Sequence, residues 1–125
     1  MNVIMRILII DDSRTMRNYL SAMVRDFHFD SEQAGDGQEA LECLDGRDFD
    51  LALVDWDMPR MNGISFVQAV RSEPRFDPMK LMMLTSHSSM DAVCEALNTG
   101  ADDYLMKPVT AAMLSEKLKL LGLLD

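Results

Sequence analysis

Cysteine is nearly absent from this chain of 125 residues; Cys43 and Cys94 are the only two, and both fall inside helical patterns. Two free, buried thiols in a reducing cytosol are expected, in preference to a disulfide. A thiolate metal centre is excluded, because there is no second cysteine pair and no histidine cluster near either one. Long apolar runs are missing too. Residues 3–10 are apolar but short, broken by Arg6 and followed at once by Asp11 and Asp12, which fits neither a signal peptide nor a membrane span. A soluble, cytoplasmic protein without membrane insertion is expected. Positive charge is scarce: 12 Lys and Arg stand against 21 Asp and Glu, a net charge of -9. Such a surface repels phosphate backbones and argues against nucleic-acid binding. No linker, internal repeat or low-complexity tract is present, and the sequence stops soon after its last helical pattern, so residues 1–125 are expected to form a single domain.

What the chain does contain is 48% hydrophobic residues, enough for one ordinary core. The stretch 51–59 is its centre: Leu51, Ala52, Leu53 and Val54 run straight into Asp55, and Asp57 and Pro59 close the segment. A short unbroken apolar run reads as a strand buried on both faces, as in a parallel sheet covered by helices. Asp55 then sits at the carboxyl end of a central strand, where open α/β sheets place their ligands. There it can be a metal ligand, a nucleophile or a cap for the next loop, and its own neighbours do not choose among the three.

Read in order, residues 6–10 form a first strand ending at Asp11 and Asp12, with Ser13 as the N-cap of a helix striped by Met16, Leu20, Met23 and Phe27. A polar strand over 29–34 suits a sheet edge, and Asp36 to Glu39 resembles a capping box for a helix that buries Ala40, Leu41 and Leu44 and stops at Gly46. After the strand at 50–54 comes a turn over 59–63, then a helix capped by Asn62 that buries Ile64, Val67 and Val70 and ends at Glu73 and Pro74. A fourth strand over 79–84 ends at Thr85; Ser88 or Ser89 caps a helix through Val93, Ala96 and Leu97 that Gly100 terminates. A fifth strand over 103–106 meets Lys107 and Pro108, and Thr110 opens a last helix striped by Leu114, Leu118 and Leu121. Strand and helix alternate five times with short connections, the pattern of a doubly wound parallel sheet.

That fold brings the strand ends to one rim: Asp11 and Asp12, Asp55, Thr85 and Lys107. Three carboxylates there repel one another unless a cation is present. Hard oxygen ligands without histidine or cysteine favour Mg²⁺. A lysine and a threonine hydroxyl beside that metal are the donors a phosphoryl group needs, and an aspartate can accept the group as an acyl phosphate.

The ordered set Asp11-Asp12, Asp55, Thr85-Ser86, Tyr104 and Lys107-Pro108 resembles the receiver domain of bacterial response regulators over essentially the whole chain. Residues 55–59 and 109–118 look most like the single-domain chemotaxis regulators. The resemblance implies a flavodoxin-like (βα)5 three-layer sandwich with its five parallel strands in the order 2-1-3-4-5. It implies that Asp55 takes a phosphoryl group from a sensor histidine kinase. Asp12 binds Mg²⁺ directly in this reading, Asp11 largely through water, and the Asp57 carbonyl adds a further ligand. Lys107 pairs with Asp55 and then with the phosphoryl group, Thr85 bonds the phosphoryl oxygen, and Tyr104 turns inward. The Lys107-Pro108 bond is expected to be cis. The face of the fourth helix, fifth strand and fifth helix would be read by a flagellar motor switch or another regulator, with the chain acting as a monomer and not as an enzyme. Two positions depart from the chemotaxis pattern, Asp57 where an amide is usual and His87 where an acidic residue is common, and both are expected to tune the phosphate lifetime.

Blander readings stand beside these. Asp11 and Asp12 alone could cap a helix, Tyr104 could be a half-buried structural residue, His28 and His87 read as surface, and the twelve methionines as core filler. Two rival functions fit parts of the pattern. Asp55-Trp56-Asp57 resembles the Asp-x-Asp of haloacid-dehalogenase-type phosphatases, but those carry that motif on the first strand. A degenerate receiver acting only as a binding module is the other, and retention of every phosphorylation residue argues against it.

Overall fold

The computed structural model describes residues 4–56, 58, 61–86 and 90–125. Five strands, β1 (Arg6–Ile10), β2 (Asp30–Ala34), β3 (Leu51–Asp55), β4 (Lys80–Thr85) and β5 (Asp103–Met106), lie parallel in the order β2-β1-β3-β4-β5. Helices α1 (Arg14–Asp26), α2 (Gly37–Cys43), α3 (Gly63–Arg71), α4 (Met90–Thr99) and α5 (Ala111–Leu120) alternate with them. This is the doubly wound order expected, with the polar strand β2 at an edge.

The strands alternate because successive side chains point to opposite faces. Ile7, Ile9, Leu51, Leu53, Met82 and Leu84 join Leu20, Val24, Leu114 and Leu118 in a core under α1 and α5. Leu8, Ile10, Ala52, Val54, Leu81 and Met83 join Ala40, Phe66, Val67, Val70 and Ala96 in a second core under α2, α3 and α4. All five residues of β3 are buried, so Asp55 is carried inward by the strand that the rest of the sheet flanks.

The caps fall where short polar side chains precede apolar stripes: Ser13 accepts from Met16 N, Asp36 from Glu39 N, Asn62 from Ser65 N and Thr110 from Met113 N. The Ser88 or Ser89 cap lies outside the described residues. His28 closes α1 with φ 67, a left-handed turn in which its N–H reaches Arg25 O.

Four packing expectations are corrected. Ile64 is only half-buried and Phe66 takes the core, because the inward face of α3 runs 63, 66, 67, 70 and Ile64 lies one step off it. Leu97 is exposed, since α4 buries only the narrow stripe of Val93 and Ala96. Cys94, next to that stripe, is exposed, and Cys43 is half-buried where two buried thiols were expected. Leu41, expected on the buried face of α2, is only half-buried against the edge of the core. In addition α3 ends at Arg71 and a 3-10 turn (Pro74–Phe76) follows, as Pro74 suits the first position of a new turn. Among the described residues no helix is long and apolar enough to cross a membrane.

Candidate functional site

The carboxyl ends of β1, β3, β4 and β5 converge as the topology requires. Asp55 pairs in register with Leu84, and Thr85 with Met106, so the ends of the three strands are level. Thr85 is buried, and its carbonyl accepts from Lys107 N at 2.8 Å, which ties the turn after β5 to the end of β4. The Lys107-Pro108 bond is cis.

Lys107 crosses the rim. Its Nζ donates to Asp55 Oδ1 at 2.7 Å and stands 3.5 Å from Asp11 Oδ2. Asp55 and Asp11 are both buried, whereas Asp12 is exposed. Burial pushes the Asp55 carboxyl up to about 6, helped by the charges of Asp11 and Asp12 and opposed by the Lys107 hydrogen bond. Burial pulls the Lys107 ammonium down, but the bond to Asp55 and the negative charges of Asp11 and Asp55 more than offset it, and its pKa is raised.

Asp11, Asp12 and Asp55 each offer a carboxylate oxygen, all within 4.8 Å of one another. Octahedral Mg²⁺ with ligands at roughly 2.0–2.1 Å needs its oxygens about 3–4 Å apart, so the cluster closes around such an ion with small rotations. Asp11 Oδ1 is taken by Ser13 N at 2.9 Å, while Oδ2 is buried with no hydrogen bond. With only the long 3.5 Å ion pair to Lys107 and no hydrogen bond, this buried oxygen is incompletely compensated and would gain from a closer cation. The donor set therefore fits a hard divalent cation.

Of the expected residues, Asp11, Asp12, Asp55, Lys107 and Thr85 gather at one rim. Tyr104 does not join them directly: it is half-buried against the α2–α4 core, with Lys117 Nζ 5.3 Å from its ring centroid. Asp57 and His87 lie outside the described residues. Two residues at the site were not foreseen. Gly63 opens α3 against the strand end, and a Cβ there would stand 2.6 Å from the Asp55 carbonyl oxygen. Arg17 donates to the Asp11 carbonyl at 2.8 Å. A glycine directly after the cap Asn62 and an arginine one turn into α1 were the available signals, and neither motif carries chemistry by itself.

A model of the response regulator receiver domain matches residues 7–119. The chain belongs to that family. It is 39% identical over 116 residues to the chemotaxis protein CheY of Pseudomonas aeruginosa, covering 92% of this chain and 94% of that one. It is 39% identical over 119 residues to CheY-3 of Vibrio cholerae, covering 94% and 92%. The crystal structure of Vibrio cholerae CheY4 superposes with a TM-score of 0.89 at 32% identity, covering 94% of this chain and 98% of that one. The protein is thus the receiver domain of a CheY-like response regulator, a component of two-component signalling, and receivers of this kind are signalling switches and not enzymes.

Proposed function

We propose that residues 1–125 act as one receiver domain that accepts a phosphoryl group on Asp55 from the phosphohistidine of a sensor kinase. The observation that carries this reading is the Lys107 ammonium shared between Asp55 and the otherwise unpaired Asp11 Oδ2. Asp55 Oδ attacks phosphorus, the P–N bond breaks as the P–O bond forms, and the electron pair stays on the imidazole nitrogen, which takes a proton. Asp11, Asp12, Asp55 and the backbone carbonyl of Asp57 would hold Mg²⁺. That cation would neutralise the phosphoryl oxygens as they approach three carboxylates. Lys107, which screens Asp55 beforehand, turns to a phosphoryl oxygen, and the Thr85 hydroxyl donates to another. Tyr104 then swings inward, biasing the α4–β5–α5 face between two arrangements.

The relatives named as chemotaxis proteins support a chemotaxis-like role, with a flagellar motor switch or another regulator reading that face. The test is incubation with Mg²⁺ and a small acyl or amido phosphate, followed by intact mass. A gain of one phosphoryl group, absent in Asp55→Asn, is expected. No gain at any Mg²⁺ level would favour a degenerate receiver that only binds.

A further inference from the structure

No hydrogen bond or ion pair holds the exposed Asp12 carboxylate among the described residues, so its reach into the cluster is set first by where its backbone stands. The peptide that aims it is the one between Asp11 and Asp12, whose carbonyl oxygen is Asp11 O. That oxygen accepts from Arg17 Nη1 at 2.8 Å. The other sides of Asp11 are fixed as well, its N–H to Ala34 O at 3.1 Å and its Oδ1 by Ser13 N. Arg17 is the remaining clamp. Its own fork is held open, because Nε donates to Gln33 Oε1 at 3.1 Å on the edge strand β2, and Gln33 Nε2 in turn donates to Asn18 Oδ1 at 3.2 Å.

From this geometry we infer that Arg17 is a positioning residue for the cation site, fixing the Asp11–Asp12 peptide and hence the direction of the Asp12 carboxylate. The inference rests on the reading of the acidic cluster as a Mg²⁺ site. The planar guanidinium is what permits it: two donors in a rigid fork reach Gln33 and the Asp11 carbonyl together, whereas a lysine ammonium is a point donor that serves one well. Groups that orient metal ligands from behind affect affinity by about 10–100-fold. A purely electrostatic role would need only the positive charge, and a purely structural staple would alter stability without altering the metal.

Calorimetric titration of the intact chain with MgCl₂, paired with melting temperature against Mg²⁺, separates these. Arg17→Ala is expected to weaken Mg²⁺ binding about tenfold. Arg17→Lys should recover only part of it, and Gln33→Ala, which keeps the charge and loses the tether, should weaken it a few-fold on the same scale. An unchanged affinity in Arg17→Ala with a lower melting point would overturn the inference, as would full recovery in Arg17→Lys. Should Arg17→Ala fail to fold, Arg17→Lys and Gln33→Ala decide by the same criteria. A wild-type chain that neither releases heat nor gains stability with Mg²⁺ would overturn the metal reading itself and this inference with it, a result distinct from a loss confined to the variants.

Discussion

Lys107 Nζ meets Asp55 Oδ1 at 2.7 Å across 52 residues of chain, and the pair spans the gap between the ends of β3 and β5. Burial nevertheless holds the Asp55 carboxyl up at about 6, so the lysine does not fully compensate the loss of water. The site stores an unfavourable charge that a bound cation would relieve.

Asp55→Asn is therefore expected to stabilise the metal-free protein while abolishing phosphoryl acceptance. In the unfolded chain the carboxyl titrates near 4, and in the folded chain at about 6. Below about pH 4 both states are protonated and the substitution changes little. Between about pH 4 and 6 the folded state holds the extra proton, so wild-type stability falls as pH rises and stays lowered above 6. The advantage of Asn should thus grow from pH 4 to 7 and reach about 1–2 kcal/mol, a shift of roughly 3–6 °C in melting temperature. A constant difference across that range in metal-free buffer would contradict it.

Lys107→Met leaves two buried carboxylates facing each other without a cation. At pH 7 the metal-free variant should lose about 1–3 kcal/mol, and added Mg²⁺ should restore more stability to it than to the wild type. Denaturant unfolding with and without Mg²⁺ checks this. An equal Mg²⁺ increment in both chains would mean that Lys107 and the metal do not share the same charge.

Gly63→Ala tests the close approach of α3 to the strand end. The added methyl would lie 2.6 Å from Asp55 O and 3.1 Å from Trp56 Cα, and both are backbone that cannot step aside. A cost of about 1–3 kcal/mol is expected, with weaker Mg²⁺ binding because the clash is relieved only by α3 and the strand end shifting apart, which displaces Asp55. Trp56, the single tryptophan and half-buried beside the site, reports the movement by its fluorescence. Unchanged melting and emission would remove Gly63 from the site.

How far all this could be read in advance follows from the physics of each part. Buried strands and capped helices announce themselves locally, so β1, β3 and the caps Ser13, Asn62 and Thr110 were legible. Asp11, Asp55, Thr85 and Lys107 were legible as a group only after the fold had been inferred. Leu97 and Ile64 were misjudged because a helix a few turns long leaves its apolar stripe uncertain by one residue, and only the packed neighbours settle the phase. Gly63 and Arg17 act through backbone, so their residue types give no chemical signal.

Asp57→Asn addresses the position two residues beyond Asp55, where this chain carries an acidic residue in place of the amide that the resemblance to chemotaxis regulators implies. Removing that charge is expected to lower Mg²⁺ affinity a few-fold and to change the rate at which phosphorylated protein loses its group. Time-resolved intact mass after donor removal measures the second. If neither quantity moved, Asp57 would have no part in setting the signal's duration.

The last expectation concerns Tyr104. Asp103 Oδ1 accepts from Lys117 Nζ and from Tyr104 N, each at 2.8 Å, and the same ammonium stands 5.3 Å from the Tyr104 ring centroid. Strand β5 and helix α5 are thus latched around the ring that is proposed to swing. Asp103→Asn keeps an acceptor for the Tyr104 N–H but releases the charge that holds Lys117. As a partly exposed pair it should cost less than about 1 kcal/mol, so the fold survives and the ring alone is affected. The chain has only two tyrosines, so fluorotyrosine labelling gives two ¹⁹F lines, which Tyr19→Phe assigns. The Tyr104 line should shift in Asp103→Asn and stay in place in Lys119→Ala, and high salt should move the wild-type line in the same direction by screening the pair. A Tyr104 line indifferent to Asp103→Asn would mean that Lys117 merely passes the ring and that its position is set by the core beneath it.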